Sequence, residues 1–172
     1  SFPSIPSSVT NMGRAYMMCY GMVDAPSIPS SVTNMIGTYS ACRNLVNAPI
    51  IPDSVINMQA TFSGCENLRE ITLPPGITSI GYSAFAGCKK IKEIVIPQNV
   101  KKIDFDAFKD CISLEKVVCL SAEIEISSSA FSGCINLRKL ELCNSSICDL
   151  FVKFSDCINL EEITCFDNTT CH

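Results

Sequence analysis

The sequence lacks most of the residues on which catalytic and metal sites are built. It has no tryptophan, and its single histidine is the C-terminal His172. A serine or cysteine nucleophile therefore has no internal histidine to act as its base, and no C-x-x-C pair is present to begin a zinc site. Glycine-rich phosphate loops and nucleophile elbows are also missing. These absences predict a protein that is not an enzyme and that holds no cofactor and no metal.

Basic clusters and long apolar runs are missing as well. The formal net charge is −4, and basic residues are not interleaved with aromatic ones, so nucleic acid is not an expected partner. No apolar run approaches the roughly 20 residues that span a bilayer, which predicts no membrane insertion within this segment. The chain opens with SFPSIPSSVTNM, without an initiator Met or a secretory signal. We expect it to be a piece of a longer protein.

Cysteine, by contrast, is abundant and regularly spaced. Twelve cysteines in 172 residues would fit a small secreted disulfide scaffold, but seven of them recur with a fixed period of 23. An aromatic residue stands three positions before each, and apolar residues stand three and six positions after it. A period of about 20 to 29 residues is typical of a solenoid, whose units bury their core only against neighbours. We call these seven the ladder cysteines: Cys19, Cys42, Cys65, Cys88, Cys111, Cys134 and Cys157.

Each unit predicts one short strand and one return segment. Leu68, Ile71 and Leu73 form an L-x-x-I-x-L pattern whose alternating residues point inward. Proline follows directly and ends the strand pairing, because it has no N–H to donate. The chain then returns with Phe85 and Cys88 directed inward, three residues apart as in one helical turn. We expect parallel strands near residues 69–73, 92–96, 115–119, 138–142 and 161–165, with weaker ones before them.

Two subtypes of unit divide what we interpret as a single domain, residues 1–172. Residues 1–64 carry SVTNM-type repeats, and residues 65–172 carry the ITSI type. The distance from cysteine to proline falls from ten residues in the unit of Cys42 to nine in the unit of Cys65. A compensating change elsewhere keeps the period constant, so the core register should continue across the junction. Prolines such as Pro49 should shorten the strands of the first subtype.

The complete pattern is C-x-x-L-x-x-I-x-I-P-x-x-V-x-x-I-x-x-x-A-F-x-x-C, as in CKKIKEIVIPQNVKKIDFDAFKDC from Cys88 to Cys111. It closely resembles the BspA-like leucine-rich repeats, also called the Treponema pallidum type, over essentially the whole chain. The resemblance implies a curved repeat solenoid of about seven coils. Short parallel strands should form one face, and short strands or helical turns the other. It also implies a surface-exposed or secreted protein of host-associated bacteria or protozoan parasites, with adhesion to host proteins as its role.

The cysteines are interpreted mainly as core residues. In-register Cβ atoms lie about 4.8 Å apart, beyond the roughly 3.5 to 4.5 Å that a disulfide prefers, so the ladder cysteines should be buried and reduced. Cys119 and Cys165 replace inward strand residues and should also be buried. Cys148 and Cys171 stand in polar loops, one full period apart, and are a candidate disulfide pair. Pairing of Cys143 with Cys148, or unpaired thiols, are the alternatives.

The outward positions of the strands are the candidate binding face. Period-two alternation directs the residues five and seven positions after each ladder cysteine to solvent. On this basis Val95 and Val118 form a small exposed apolar spot flanked by charge, as in the core of an interface. A merely solvated sheet face is the alternative interpretation. The candidate residues are Glu70, Thr72, Glu93, Val95, Lys116, Val118, Lys139 and Glu141.

These observations favour a non-enzymatic interaction module. From the resemblance, we expect the repeat region of a cell-surface or secreted adhesin that binds a host protein or glycan. The alternative is a structural spacer, inside a cell or on a surface or virion, whose repeats supply length while other domains bind. The partner itself is not encoded in any motif, because a fold does not fix a function.

Overall fold

The computed structural model describes residues 3–143 and 153–166, and within them the chain winds into a solenoid with the same period as the cysteines. All strands pair in parallel with the strand one coil away. The described residues contain almost no helix. The strands are β1 Ser79–Ile80, β2 Glu93–Ile96, β3 Lys102–Ile103, β4 Lys116–Cys119, β5 Glu125–Ile126, β6 Lys139–Cys143 and β7 Glu162–Phe166.

Two parallel sheets form opposite sides of each coil. The larger has the order β2-β4-β6-β7, and the smaller has the order β1-β3-β5. In the larger sheet Glu93 pairs with Lys116, and Lys116 pairs with Lys139, so each residue meets its equivalent in the next coil. Four of the five expected strands are thereby confirmed, at 93–96, 116–119, 139–143 and 162–166.

The first three coils have isolated bridges in place of strands, alongside backbone hydrogen bonds between their turns, such as that from the Met12 N–H to the Asn34 carbonyl at 2.9 Å. Asn34 bridges both Asn11 and Asn57 on one side, and Asn47 bridges Asp24 and Glu70 on the other. The Asn34 side chain also accepts a hydrogen bond from the Ile36 N–H, 2.9 Å away, which fixes the local turn. Weaker pairing in this half agrees with the prolines inside its strand segments.

The strand expected at residues 69–73 is not formed, and this prediction is wrong. Glu70 makes only the isolated bridge to Asn47. The bridge is not extended into a ladder, since no backbone hydrogen bond joins the described segments 48–53 and 71–75. The unit of Cys42 also has one extra residue before its proline, which moves the two segments out of step.

A column of stacked rings runs through the core of the solenoid. Successive ring centroids lie 5.0 to 5.7 Å apart, with interplanar angles of 24° or less. The four innermost rings after Tyr39 are almost fully buried, so each supplies a large apolar contact to both neighbouring coils. The column consists of Tyr16, Tyr39, Phe62, Phe85, Phe108, Phe131 and Phe154.

The ladder cysteines form a second column beside the rings. Each thiol from Cys42 onward donates to the carbonyl oxygen of the aromatic residue of the previous coil, as Cys88 does to Phe62 at 3.2 Å. All six of these cysteines are buried, and all are free. The thiol is thus a small hydrophobe that also hydrogen-bonds one coil to the previous one.

Two expectations about cysteine burial are wrong. Cys19 is only half-buried, because a ladder thiol packs against the aromatic carbonyl of the coil before it, and the described residues that precede Cys19 include no such coil. Cys165 is exposed. It lies on β7, the outermost strand of its sheet, where Ile163 is also 43% exposed. The candidate pair of Cys148 and Cys171 lies outside the described residues and stays a prediction.

Burial should protect the ladder thiols from alkylation. Desolvation raises the pKa of Cys111 to about 12, so thiolate is scarce in the folded protein at neutral pH. We expect native iodoacetamide labelling of Cys111 to be about a thousandfold slower than labelling of the exposed Cys165. Peptide mapping by mass spectrometry measures both rates in one sample. Equal rates, or disulfide-linked ladder peptides before denaturation, would contradict the core role.

Candidate binding surface

The outer face of the four-stranded sheet carries most of the predicted binding residues. Along β2, Ile94 and Ile96 are buried while Glu93 and Val95 are exposed, as alternation in a strand requires. The equivalent outward residues of β4 and β6 are half-buried, because side chains of the flanking strands cover part of each. These are Lys116, Val118, Lys139 and Glu141.

Val95 and Val118 are direct neighbours on this face. They pair in register between β2 and β4, and 44% of Val95 is exposed. The next residue along this row is Glu141, which pairs with Val118 from β6. The two valines thus form an apolar spot at the β2 end of a row that becomes polar toward β7.

Lysine and glutamate side chains lie beside the two valines and form ion pairs with one another. Lys116 lies 3.4 Å from Glu93 and 3.3 Å from Glu141, and Lys139 lies 3.2 Å from both Glu141 and Glu162. The hydrogen bonds to Glu141 and then to Glu162 raise the pKa of Lys139. Partial burial tends to raise the pKa of Glu141, but hydrogen bonds from Lys139 and Lys116 hold it below its ordinary value.

In this network the charged side chains of the face are paired with one another. Exposed ion pairs of this kind add little to the stability of the fold, but in-register pairs keep the charged side chains ordered. A partner that displaced them would have to replace those contacts. Val95 and Val118 are therefore the part of this surface that lies outside the ion-pair network.

Glu70 and Thr72, the remaining two predicted residues, lie elsewhere. Both are exposed, but no backbone hydrogen bond joins 70–73 to β2 within the described chain, so they are not part of the sheet. They line a cleft of about 720 Å³ between the segments 46–53 and 69–75. In the sequence this cleft coincides with the change in cysteine-to-proline spacing between the units of Cys42 and Cys65. That change predicts a continuous core register but gives no indication of a cleft.

The described residues contain no candidate metal site. Across residues 3–143 and 153–166, no group of three or more His, Cys, Asp or Glu side chains is placed to hold a metal ion. Over the same residues, no helix has the length and apolar character needed to cross a membrane.

Comparison with known proteins gives one family and several solved structures. A family model described as the BspA type leucine rich repeat region matches residues 34–161 in six copies. A leucine-rich repeat protein from Bacteroides ovatus is 34% identical, with a TM-score of 0.72 over 94% of this chain. The chain spans only 42% of that protein. No curated protein matches the sequence.

Two further structures share the architecture. A leucine rich cell surface protein from Faecalibacterium prausnitzii is 26% identical with a TM-score of 0.64, over 92% of this chain and 37% of its own length. A leucine rich repeat protein from T. pallidum is 23% identical with a TM-score of 0.64, over 96% of this chain and 71% of its own length. The second likeness concerns the fold alone.

Proposed function

The chain belongs to the BspA type leucine-rich repeat family, a family of protein-interaction repeats, and on that premise we propose that it binds a host protein or glycan as part of a cell-surface or secreted adhesin. In this proposal it is a binding module with no catalytic role. The contact is made by the outer face of the sheet β2-β4-β6-β7, centred on Val95 and Val118.

The observation that carries the proposal is the exposed valine pair on a rigid sheet. Val95 and Val118 are fixed in register by the ladder between β2 and β4, so little side-chain entropy is lost when a partner covers them. Ordered charge lies along one side of this apolar spot and at one end of its row, and an apolar centre with a polar rim is the usual anatomy of an interface. The resemblance to a F. prausnitzii cell surface protein supports a surface location.

Replacing both valines should weaken binding and leave the fold intact. In the variant Val95→Lys/Val118→Lys, two cations occupy the apolar spot, and binding to cultured epithelial cells and to immobilised matrix protein should fall at least about tenfold. The melting temperature should change little, because Val95 is exposed and Val118 is half-buried on the outer face of the sheet, and substitutions at surface positions usually alter stability by less than about 0.5 kcal/mol. Cell-binding assays and thermal melts on the same preparations test both statements.

A matched control lies on a different side of the coil. Tyr82 and Phe105 occupy equivalent positions in successive coils, and they are 54% and 55% exposed. The variant Tyr82→Lys/Phe105→Lys adds the same charge and should bind as the wild type does. Unchanged binding by the valine variant, or equal loss in both variants, would remove the site from this face.

The structural spacer is the second candidate function, and one observation favours it. Both lysines of the face are already paired with glutamates on neighbouring strands, as with Lys116 between Glu93 and Glu141. Such a surface needs no ligand to be stable. If the wild-type protein binds neither cells nor matrix protein, the spacer role replaces the adhesin role.

A further inference from the structure

The two walls of the cleft, 46–53 and 69–75, lie side by side at one isolated bridge and then separate. The Arg69 N–H donates to the Val46 carbonyl at 3.4 Å, and Asn47 bridges Glu70. Beyond that point no backbone hydrogen bond joins the segments 48–53 and 71–75. In the later coils the same part of the unit forms the continuous ladders of β2, β4, β6 and β7. The cleft therefore lies in the part of this side that precedes the regular sheet, which begins at β2.

Both walls leave backbone donors without partners. In the described protein the N–H groups of Ile50 and Thr72, one on each wall, make no hydrogen bond to another protein group. Both residues line the cleft, and the register of the Asn47–Glu70 bridge directs their N–H groups to the space between the walls. Amides left free on extended walls are satisfied most completely by another extended polypeptide, which supplies carbonyl oxygens at the same spacing.

The cleft also has an apolar surface exposed to solvent. Ile50 is 91% exposed, more than any other large apolar side chain in residues 3–143 and 153–166. Pro49, Pro74 and Pro75 line the same space. A side chain as exposed as Ile50 gains most from a partner that covers it, so the partner strand should present apolar side chains here.

The charges of the cleft are unpaired, unlike their counterparts in later coils. Asp53, Arg69 and Glu70 form no ion pair with any described residue. The side chains at the position of Arg69 in later coils are paired, Lys92 with Glu115 at 3.3 Å and Arg138 with Glu161 at 3.5 Å. Two acids and one base leave the cleft with a net negative charge, which a basic side chain of the partner complements.

We propose that this cleft binds an extended, mainly apolar segment of another protein, carrying a basic side chain, as an added β-strand. The unpaired wall of six residues from 48 to 53 accommodates roughly 20 Å of strand at about 3.3 Å per residue. The site is separate from Val95 and Val118, and it does not depend on the adhesin role.

The test is selection from a displayed library of random peptides of about twelve residues, long enough to cover the wall. Wild-type protein is the bait, and Thr72→Trp, which fills the cleft, is the counter-bait. We expect selected peptides to be apolar with one Lys or Arg, and to bind Thr72→Trp at least about tenfold more weakly. Thr164→Trp is the matched control, because Thr164 is the exposed threonine at the same position of the last described coil. It should bind the peptides as the wild type does.

Backbone pairing and charge are tested on the selected peptides. N-methylation at alternate positions should weaken binding about tenfold, and methylation at the positions between should not, because only every second amide of a strand faces its neighbour. Glu70→Lys should weaken binding of the basic peptides at low salt. The proposal is overturned if no peptide prefers wild type over Thr72→Trp, if Thr164→Trp loses binding equally, or if N-methylation has no positional effect. The valine variant Val95→Lys/Val118→Lys should retain peptide binding, which separates this result from that of the adhesin test.

Discussion

Phe85→Ala is expected to lower the free energy of unfolding by about 4 kcal/mol. Phe85 is fully buried, with its ring 5.7 Å from that of Phe62 and 5.3 Å from that of Phe108. Truncation removes the contact with both neighbouring coils at once and leaves a ring-sized cavity. Because each coil is stable only through its neighbours, a defect at the centre weakens both halves of the solenoid.

Urea denaturation followed by circular dichroism measures this loss. Phe105→Ala is the matched control, since the same side chain is removed from a site that is 55% exposed. That change should cost less than about 1 kcal/mol. Equal losses in the two variants would show that the ring column is not the centre of the core.

The fold could be predicted because its determinants repeat. Seven units repeat the inward positions and so predict the same coil. The pattern therefore stays recognisable where one unit departs from it. Leu68, Ile91, Leu114 and Leu137 are all fully buried, as the strand pattern requires. The parallel register follows from the period alone, because stacking equal coils places each residue beside its equivalent in the next coil.

The absent strand and the cleft could not be predicted, because they depend on what differs between units. Leu68 and Leu73 keep the inward pattern whether or not the backbone between them forms a ladder. The pairing of that segment is decided by its neighbour, which has one extra residue before its proline. A pattern averaged over units therefore gives the core correctly and the local backbone pairing incorrectly.

Residues at the ends of the described coils were misplaced for a related reason. In a solenoid, the burial of a side chain is a property of the stack rather than of its own unit. Cys119 lies within the sheet and is buried, whereas Cys165 has the equivalent position on the outermost strand and is exposed. The sequence pattern is the same at both, so only the arrangement of coils distinguishes them.

The choice of cysteine for the ladder also has a reason that the pattern did not supply. Alanine or valine would fill the space, but neither can donate a hydrogen bond. In the structure the Cys111 thiol donates to the Phe85 carbonyl at 3.2 Å, while the Cys88 N–H donates to the same oxygen at 3.1 Å. The thiol thus gives a carbonyl in the core a second donor from the adjacent coil.

Seven buried thiols, six of the ladder and Cys119, should make the protein unfold steeply at alkaline pH. Desolvation by burial raises the pKa of Cys42, Cys119 and Cys157 to about 11 and that of Cys111 to about 12. Burial also raises the pKa values of Cys65, Cys88 and Cys134. In the unfolded chain a thiol titrates near its ordinary value of about 8.5. The folded state therefore keeps protons that the unfolded state has already lost.

This difference fixes the sign and the steepness of the effect. The stabilisation is fully present below about pH 8.5 and is lost as the pH rises toward the raised pKa values. Each thiol contributes about 1.4 kcal/mol per pH unit in that window, and the seven together contribute about 10 kcal/mol per pH unit. Since a domain is typically stable by only about 5 to 15 kcal/mol, we expect cooperative unfolding between about pH 9 and pH 11.

Circular dichroism and the ultraviolet absorbance of thiolate, recorded together under reducing conditions, test this expectation. In a protein with Cys19, Cys148, Cys165 and Cys171 replaced by serine, both signals should change in a single transition, because the remaining thiols cannot ionise until the core opens. Cys111→Val in that protein is the matched variant. It removes one of the seven titrating groups from the core, so its stability should fall with pH about one-seventh less steeply. Gradual thiolate formation from about pH 8.5, with the circular dichroism unchanged, would mean that the ladder thiols titrate within the folded protein, and the buried cysteine column would then be wrong.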